Sequence, residues 1–201
     1  MLELSQFFLV VTTILVTLGL AAYLVAGDPD PGASLAALRA LLDAGAADVG
    51  TVEPVDLVGL AVEECVRVDA ELQVGAGGAD DDGAATIEVP GVSKLLRRAV
   101  RNLLENARRY SQGEITLSLS RQGNMAMVRV EDHGPGVPEL QREHIFEKFY
   151  RLPGASERSG GVGLGLSLVR SIAERHGGTV YCTDRLDGQS GASFVIELPL
   201  D

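Results

Sequence analysis

The chain has 201 residues, 46% of them hydrophobic but only 4% aromatic, with no Trp. That suits one domain of ordinary size plus an appendage, and it is too apolar for a disordered chain. The formal net charge is −11, yet residues 1–93 hold 15 acids against 2 bases while residues 94–201 hold 13 against 15. The uneven spread excludes an acidic coat over the whole surface, and the lack of a basic excess argues against a nucleic-acid binder.

Phe7 to Ala26 is a run of 20 residues without a charge. As a helix it spans about 30 Å, the thickness of a bilayer core. A signal peptide is disfavoured, because only Glu3 precedes the run and a basic first region is missing. A membrane anchor over residues 1–27 is expected. Residues 28–52 then read as a Pro/Gly/Asp break and a short helix with Leu35, Leu38, Leu41 and Leu42 on one stripe, too small to fold alone. The remaining domain spans 53–201.

Pro54 to Leu57 reads as an edge segment leading into a helix over 57–67. Asp69 to Val74 alternates like a strand. Residues 75–84 form an acidic loop whose Asp80, Asp81 and Asp82 are solvated rather than metal-binding. Ala85 to Val89 reads as a second strand, with a turn at Pro90-Gly91 and Ser93 as N-cap of the next helix. Cys65 and Cys182 show no ligand spacing and read as buried reduced thiols.

The helix over 94–110 has three faces where an amphipathic helix needs two. Leu96, Val100, Leu103, Leu104 and Ala107 form the apolar arc. Lys94, Arg97, Arg98, Arg101, Glu105 and Arg108 form a charged arc, read as solvent face. Between them lies a polar ridge of Asn102, Asn106, Arg109 and Tyr110. Asparagine is a poor helix former, so two of them four residues apart are either boundary residues with local hydrogen bonds or part of a site.

Strands over 114–120 and 125–131 follow, joined by Arg121 to Asn124. The second runs into Asp132, Gly134 and Gly136, where glycines permit positive φ and close backbone approach. Ile145 to Arg151 is an aromatic segment, and Pro153 to Gly161 reads as a polar loop. Gly161, Gly163 and Gly165 then alternate before a helix, a pattern that can cradle phosphate with backbone N–H groups. It is neither a P-loop nor a dinucleotide fingerprint. Strands over 179–184 and 192–198 complete the chain.

In their order and spacing these segments resemble the ATP-binding catalytic domain of sensor histidine kinases, in the Bergerat-fold superfamily shared with gyrase, Hsp90 and MutL. The N box is NLLENARRY (102–110), the G1 box DHGPG (132–136), the F box IFEKFYR (145–151) and the G2 box GVGLGL (161–166), with a weaker GASF at 191–194. The resemblance implies an α+β fold, a two-layer α/β sandwich with a mixed, mainly antiparallel sheet covered by helices. It also implies ATP and Mg²⁺ as ligands. Asn106 would hold Mg²⁺ with Asn102 assisting; Arg109 and Arg151 would meet phosphate, and Tyr110 the adenine. Asp132 would accept the adenine amino group, with Gly134 and Gly136 allowing its approach. Residues 152–160 would be the lid, and Gly161, Gly163, Leu164, Gly165 and Leu166 its hinge and phosphate cradle. ATPase relatives place a general-base Glu where this chain has Asn102, which favours transfer over hydrolysis.

Histidine kinases carry their acceptor histidine on an upstream two-helix domain. His133, His144 and His176 all lie inside the nucleotide-binding segment, in contexts that do not match. The expectation is a single-pass protein of the cytoplasmic (inner) membrane with its catalytic domain cytosolic. Its partners would be a histidine-bearing dimerisation domain in trans or a response regulator, in a homo- or heterodimer. Two rival readings share the motifs: a non-catalytic decoy that pairs with a full kinase, and a serine kinase of the anti-sigma type.

Overall fold

The computed structural model describes residues 50–75, 86–111, 113–152 and 163–201. The expected membrane anchor, the helix following it, nearly all of the acidic loop, most of the lid (153–160) and Gly161 lie outside the described residues. Among the described residues no helix is long and apolar enough to cross a membrane.

Strand β1 (Glu53–Asp56) leads directly into helix α1 (Leu57–Val68). Asp56 caps that helix: its carboxylate accepts the N–H of Val58 at 2.9 Å and of Gly59 at 3.1 Å, two of the donors that a helix start otherwise leaves unpaired. The helix ends where Asp69 turns left-handed, at φ 55°. Strand β2 (Glu71–Val74) follows, then β3 (Glu88–Gly91) and α2 (Ser93–Tyr110). The hairpin β4 (Thr116–Gln122) and β5 (Met125–Glu131) comes next, then α3 (Gly165–Arg175), β6 (Thr179–Thr183) and β7 (Ser193–Pro199).

Five strands form one sheet in the order β2-β4-β5-β7-β6, with β2 parallel to β4 and every other pair antiparallel. Period-two alternation puts one apolar face together. Leu117, Val130, Phe194 and Cys182 stand on one cross-strand rung, and Leu119, Val128, Ile196 and Val180 on the next. All eight are buried. Leu103, Leu104 and Ala107 of α2 and Val169, Ile172 and Ala173 of α3 join them in a single core. This is the expected α+β two-layer sandwich, helices on one face of a mixed sheet.

Four local expectations are corrected. The strand foreseen at 85–89 lies at Glu88–Gly91, and it pairs with β1 in a separate two-stranded ribbon. Pro90 stands opposite Pro54 in that ribbon; neither has an N–H to lose, so the prolines extend the strand instead of turning the chain. Ser93 is not the cap of α2. The cap position is Val92, without a side-chain bond. The hairpin loop is two residues and not four, because Gly123 takes φ 59° and lets pairing run to Gln122 and Met125.

The charged arc of α2 is the fourth correction. Arg101 grips the carboxylate of Glu64 on α1 with two bonds, of 2.9 and 2.8 Å, and Arg97 reaches the same group at 3.4 Å and also pairs with Glu63. Glu64 is only 2% exposed. The arginines therefore join α1 to α2 and do not simply face solvent.

Candidate nucleotide site

The site is built along α2, which presents Asn102 and, two turns later, Tyr110. Eight residues of helix separate them by about 12 Å. One group of backbone turns gathers near each.

At the Tyr110 end, β5 runs out into Asp132, whose side chain is buried. Its Oδ1 accepts from the N–H of Gly134 at 2.7 Å and of Ala192 at 3.4 Å. Burial raises the Asp132 pKa above the ordinary carboxylate value; those two bonds, then the charges of Arg185 and His133, pull it back. Backbone approaches backbone closely here. A Cβ on Gly134 would sit 2.7 Å from the Tyr110 carbonyl oxygen, and one on Gly191 only 1.8 Å from that of Asp132. Gly136, at φ 77°, lies against Gly191.

Three side chains secure this turn. Ser111 Oγ, directly after α2, accepts the N–H of His133 at 3.1 Å. Ser190 Oγ donates to the Gly134 carbonyl at 3.0 Å, and Arg185 Nη1 to the Asp132 carbonyl at 3.1 Å. None of these three was singled out from sequence. Only Gly191 carried a signal, as part of GASF.

At the other end, Asn102 Nδ2 donates to the Arg98 carbonyl one turn back, at 2.8 Å. That turns Oδ1 toward the start of α3, where a Cβ on Gly165 would lie 3.2 Å from it. Asn106 is half-buried one turn further along α2. Leu164 occupies the N-cap position of α3, its carbonyl accepting from the N–H of Leu168. Leu166 packs its side chain on the core, so what it offers a ligand is its backbone N–H in the first helical turn.

The aromatic segment is docked on α3. Phe146 is buried and meets Phe194 edge-on, with centroids 6.5 Å apart. The Arg170 guanidinium lies 5.6 Å above the Phe146 ring and pairs with Glu143 at 2.9 Å. Phe149 is left-handed at φ 66°, unusual for so bulky a residue. Its N–H donates to the Gly163 carbonyl at 2.9 Å. Gly163 is itself at φ 74°, and a Cβ there would be 2.8 Å from the Phe149 carbonyl carbon and the Tyr150 oxygen. Arg109 and Arg151 are exposed.

The structure thus brings Asn102 to Gly165, the Tyr110 backbone to Gly134 beside the Asp132 carboxylate, and Gly136 to Gly191. A helix carrying asparagines, a helix start opposite it and a buried carboxylate ahead of a glycine turn lie on one α/β sandwich. The chain belongs to the family of histidine kinase-, DNA gyrase B-, and HSP90-like ATPases, whose family model matches residues 91–201. Among relatives, it is 48% identical over 108 residues to the sensor protein RstB of Escherichia coli, covering 53% of this chain and 24% of that protein. The mycobacterial sensor histidine kinase MprB superposes with a TM-score of 0.58 at 29% identity, covering 74% of this chain and 97% of that one. The structure described as full-length ShkA in complex with AMPPNP gives 0.60 at 26% identity, over 81% of this chain and 34% of that one. The chain is therefore homologous to catalytic domains of sensor histidine kinases, and it spans about a quarter of the length of the curated relatives it matches.

Proposed function

We propose that residues 53–201 bind Mg-ATP and pass its γ-phosphoryl group to a histidine outside these 201 residues, as one half of a two-component signalling pair. The observation that carries this reading is the placement of Asn102 Oδ1 against the start of α3 at Gly165. It puts a neutral oxygen ligand beside the first-turn N–H groups that favour phosphate.

The donor set fits a magnesium nucleotide. Carboxamide oxygens are hard ligands, and Mg²⁺ takes its remaining positions from water and phosphate oxygens. Asn106, assisted by Asn102, would hold the ion, which when bound supplies charge neutralisation for the phosphates. Among the described residues no group of three or more His, Cys, Asp and Glu gathers as a separate metal site. Asp132 would accept from the adenine amino group, with Tyr110 packing near the base. Gly163, Leu164, Gly165, Leu166 and Gly161 would cradle phosphate, with Arg109 and Arg151 adding charge. Phosphoryl transfer asks mainly for such positioning and charge. A carboxamide at 102 takes up no proton, which favours transfer over hydrolysis by an activated water.

The internal histidines support an external acceptor. His176 uses both ring nitrogens, Nδ1 on the Ile172 carbonyl and Nε2 on the Val92 N–H. His133 Nδ1 meets the Glu114 carbonyl and His144 Nδ1 meets Glu147. In this reading Phe7 to Ala26 tethers the chain to the cytoplasmic membrane with the catalytic domain in the cytosol.

The test is to incubate the full-length chain with Mg²⁺ and γ-labelled ATP, with and without a separate histidine-bearing dimerisation domain. Acid-labile label on the added domain supports the reading. Acid-stable label on a partner serine would point to the anti-sigma type of kinase, and co-purification without any transfer to a decoy. Failure to bind an ATP analogue sinks both kinase readings and leaves the decoy.

A further inference from the structure

We propose that Arg185 is a positioning residue for nucleobase recognition, clamping the Asp132 turn from the β6–β7 loop and held in place for that task by Asp187. The inference rests on the nucleotide-site reading above and assigns a function to a loop that lies outside all four sequence boxes.

The side chain of Arg185 is 7% exposed, although it sits in the loop joining two strands. Its Nη1 donates to the Asp132 carbonyl at 3.1 Å. Its Nε and Nη2 form a fork on the two carboxylate oxygens of Asp187, at 3.0 and 2.5 Å. Asp187 is steadied in turn by the N–H of Gln189 at 3.0 Å. A planar guanidinium fixed on one edge by a bidentate carboxylate has little freedom left, so its remaining N–H is aimed. Gly191 completes the fit: a Cβ there would lie 2.6 Å from Arg185 Cδ.

The clamp acts at the residue whose geometry matters most for reading a base. Asp132 offers its carboxylate from a short turn, and a shift of its Cα moves the acceptor directly. Ser111 fixes the turn at the His133 N–H and Ser190 at the Gly134 carbonyl, so Arg185 supplies the third anchor at Asp132 itself. Its positive charge also favours the ionised carboxylate, which accepts from an amino group. The other ionisable groups whose charges couple to Asp132 are the His133 imidazole and the buried Cys182 thiol.

The experiment titrates the full-length chain, as wild type and as Arg185→Met, Arg185→Lys and Asp187→Asn, with ATP, adenosine and inorganic tripolyphosphate. Arg185→Met is expected to weaken ATP and adenosine by the same factor, about tenfold or more for a lost charged hydrogen bond, and to leave tripolyphosphate affinity unchanged. Its loss of adenosine affinity in acid is expected to begin at higher pH than in the wild type. Arg185→Lys should restore part of the affinity, and Asp187→Asn should fall between Met and wild type. Unchanged adenosine affinity in Arg185→Met overturns the proposal, and so do equal losses for adenosine and tripolyphosphate, which mark general loosening. A wild type that binds no ATP overturns the nucleotide reading itself, and this inference with it.

Discussion

The imidazole of His176, at the end of α3, accepts the backbone N–H of Val92 at 3.0 Å, across 84 residues of sequence. Val92 is the cap position of α2 and has no side-chain cap bond. The same ring donates from Nδ1 to the Ile172 carbonyl at 2.7 Å, which fixes the tautomer with Nε2 as acceptor. The bond thus ties the start of the helix bearing the asparagines to the helix that begins at Gly165. His176→Phe keeps an aromatic ring and removes both bonds, leaving the N–H of the buried Val92 unpaired. A loss of about 1–3 kcal/mol in unfolding free energy is expected. Chemical denaturation at pH 7 measures it, and an unchanged midpoint would refute the structural role.

Glu64 and Arg101 make the corresponding tie on the other side of α2. Glu64→Gln leaves two arginines facing a neutral group, and a cost of roughly 1–3 kcal/mol follows for a partly exposed pair. The bond from Arg101 holds the Glu64 pKa below its usual 4.5. A depressed folded pKa means that the ion pair contributes fully above the unfolded value and is lost as pH falls through the folded one. The stability gap between wild type and Glu64→Gln is therefore expected to be full at pH 7 and to shrink below about pH 4. A gap that stays constant into acid would count against the ion pair as its source.

The two ties show where a sequence stops being readable. The polar ridge of Asn102 and Asn106 was visible because helical spacing alone sorts it from the core, and Asp132 because its glycines are neighbours in sequence. Arg97 and Arg101 carry the same spacing signal as any solvent face; only the fold brings Glu64 to them. Ser111, Arg185 and Ser190 lie 22 to 56 residues from their partners in the Asp132 turn, and no periodicity encodes such pairings. The shift of β3 had a local cause that could have been read, since two prolines without N–H donors suit a ribbon as opposing partners.

Two glycines with left-handed backbones separate strain from crowding. Gly123, at φ 59°, has nothing within 4 Å of an added Cβ. Gly123→Ala is expected to cost only the conformational penalty, about 1–2 kcal/mol. Gly163, at φ 74°, would meet the backbone of Phe149 and Tyr150 at 2.8 Å. Gly163→Ala should therefore cost more than Gly123→Ala and also weaken ATP, because the displaced atoms adjoin the start of α3. Thermal unfolding and ATP titration of the pair decide it; equal losses in both measurements would dismiss the crowding argument.

Asp132 sets function against stability. Burial is the largest influence on its carboxyl and raises the pKa above 3.8. A raised folded pKa means that folding favours the protonated form: its contribution is full below the unfolded value and is lost as pH rises through the folded one. At neutral pH the ionised group is thus a net liability to the unliganded protein. Asp132→Asn keeps an Oδ1 acceptor for the N–H groups of Gly134 and Ala192 and removes the buried charge. The variant is expected to unfold at the same or a higher temperature than wild type at pH 7, with the difference vanishing in acid. ATP affinity should nevertheless fall by about tenfold or more, since the charged acceptor proposed for the adenine amino group is gone. Calorimetry of unfolding and of ATP binding on the same samples tests both halves. A less stable Asn variant would show that the Arg185 charge outweighs burial, and undiminished ATP affinity would remove Asp132 from the base-recognition site.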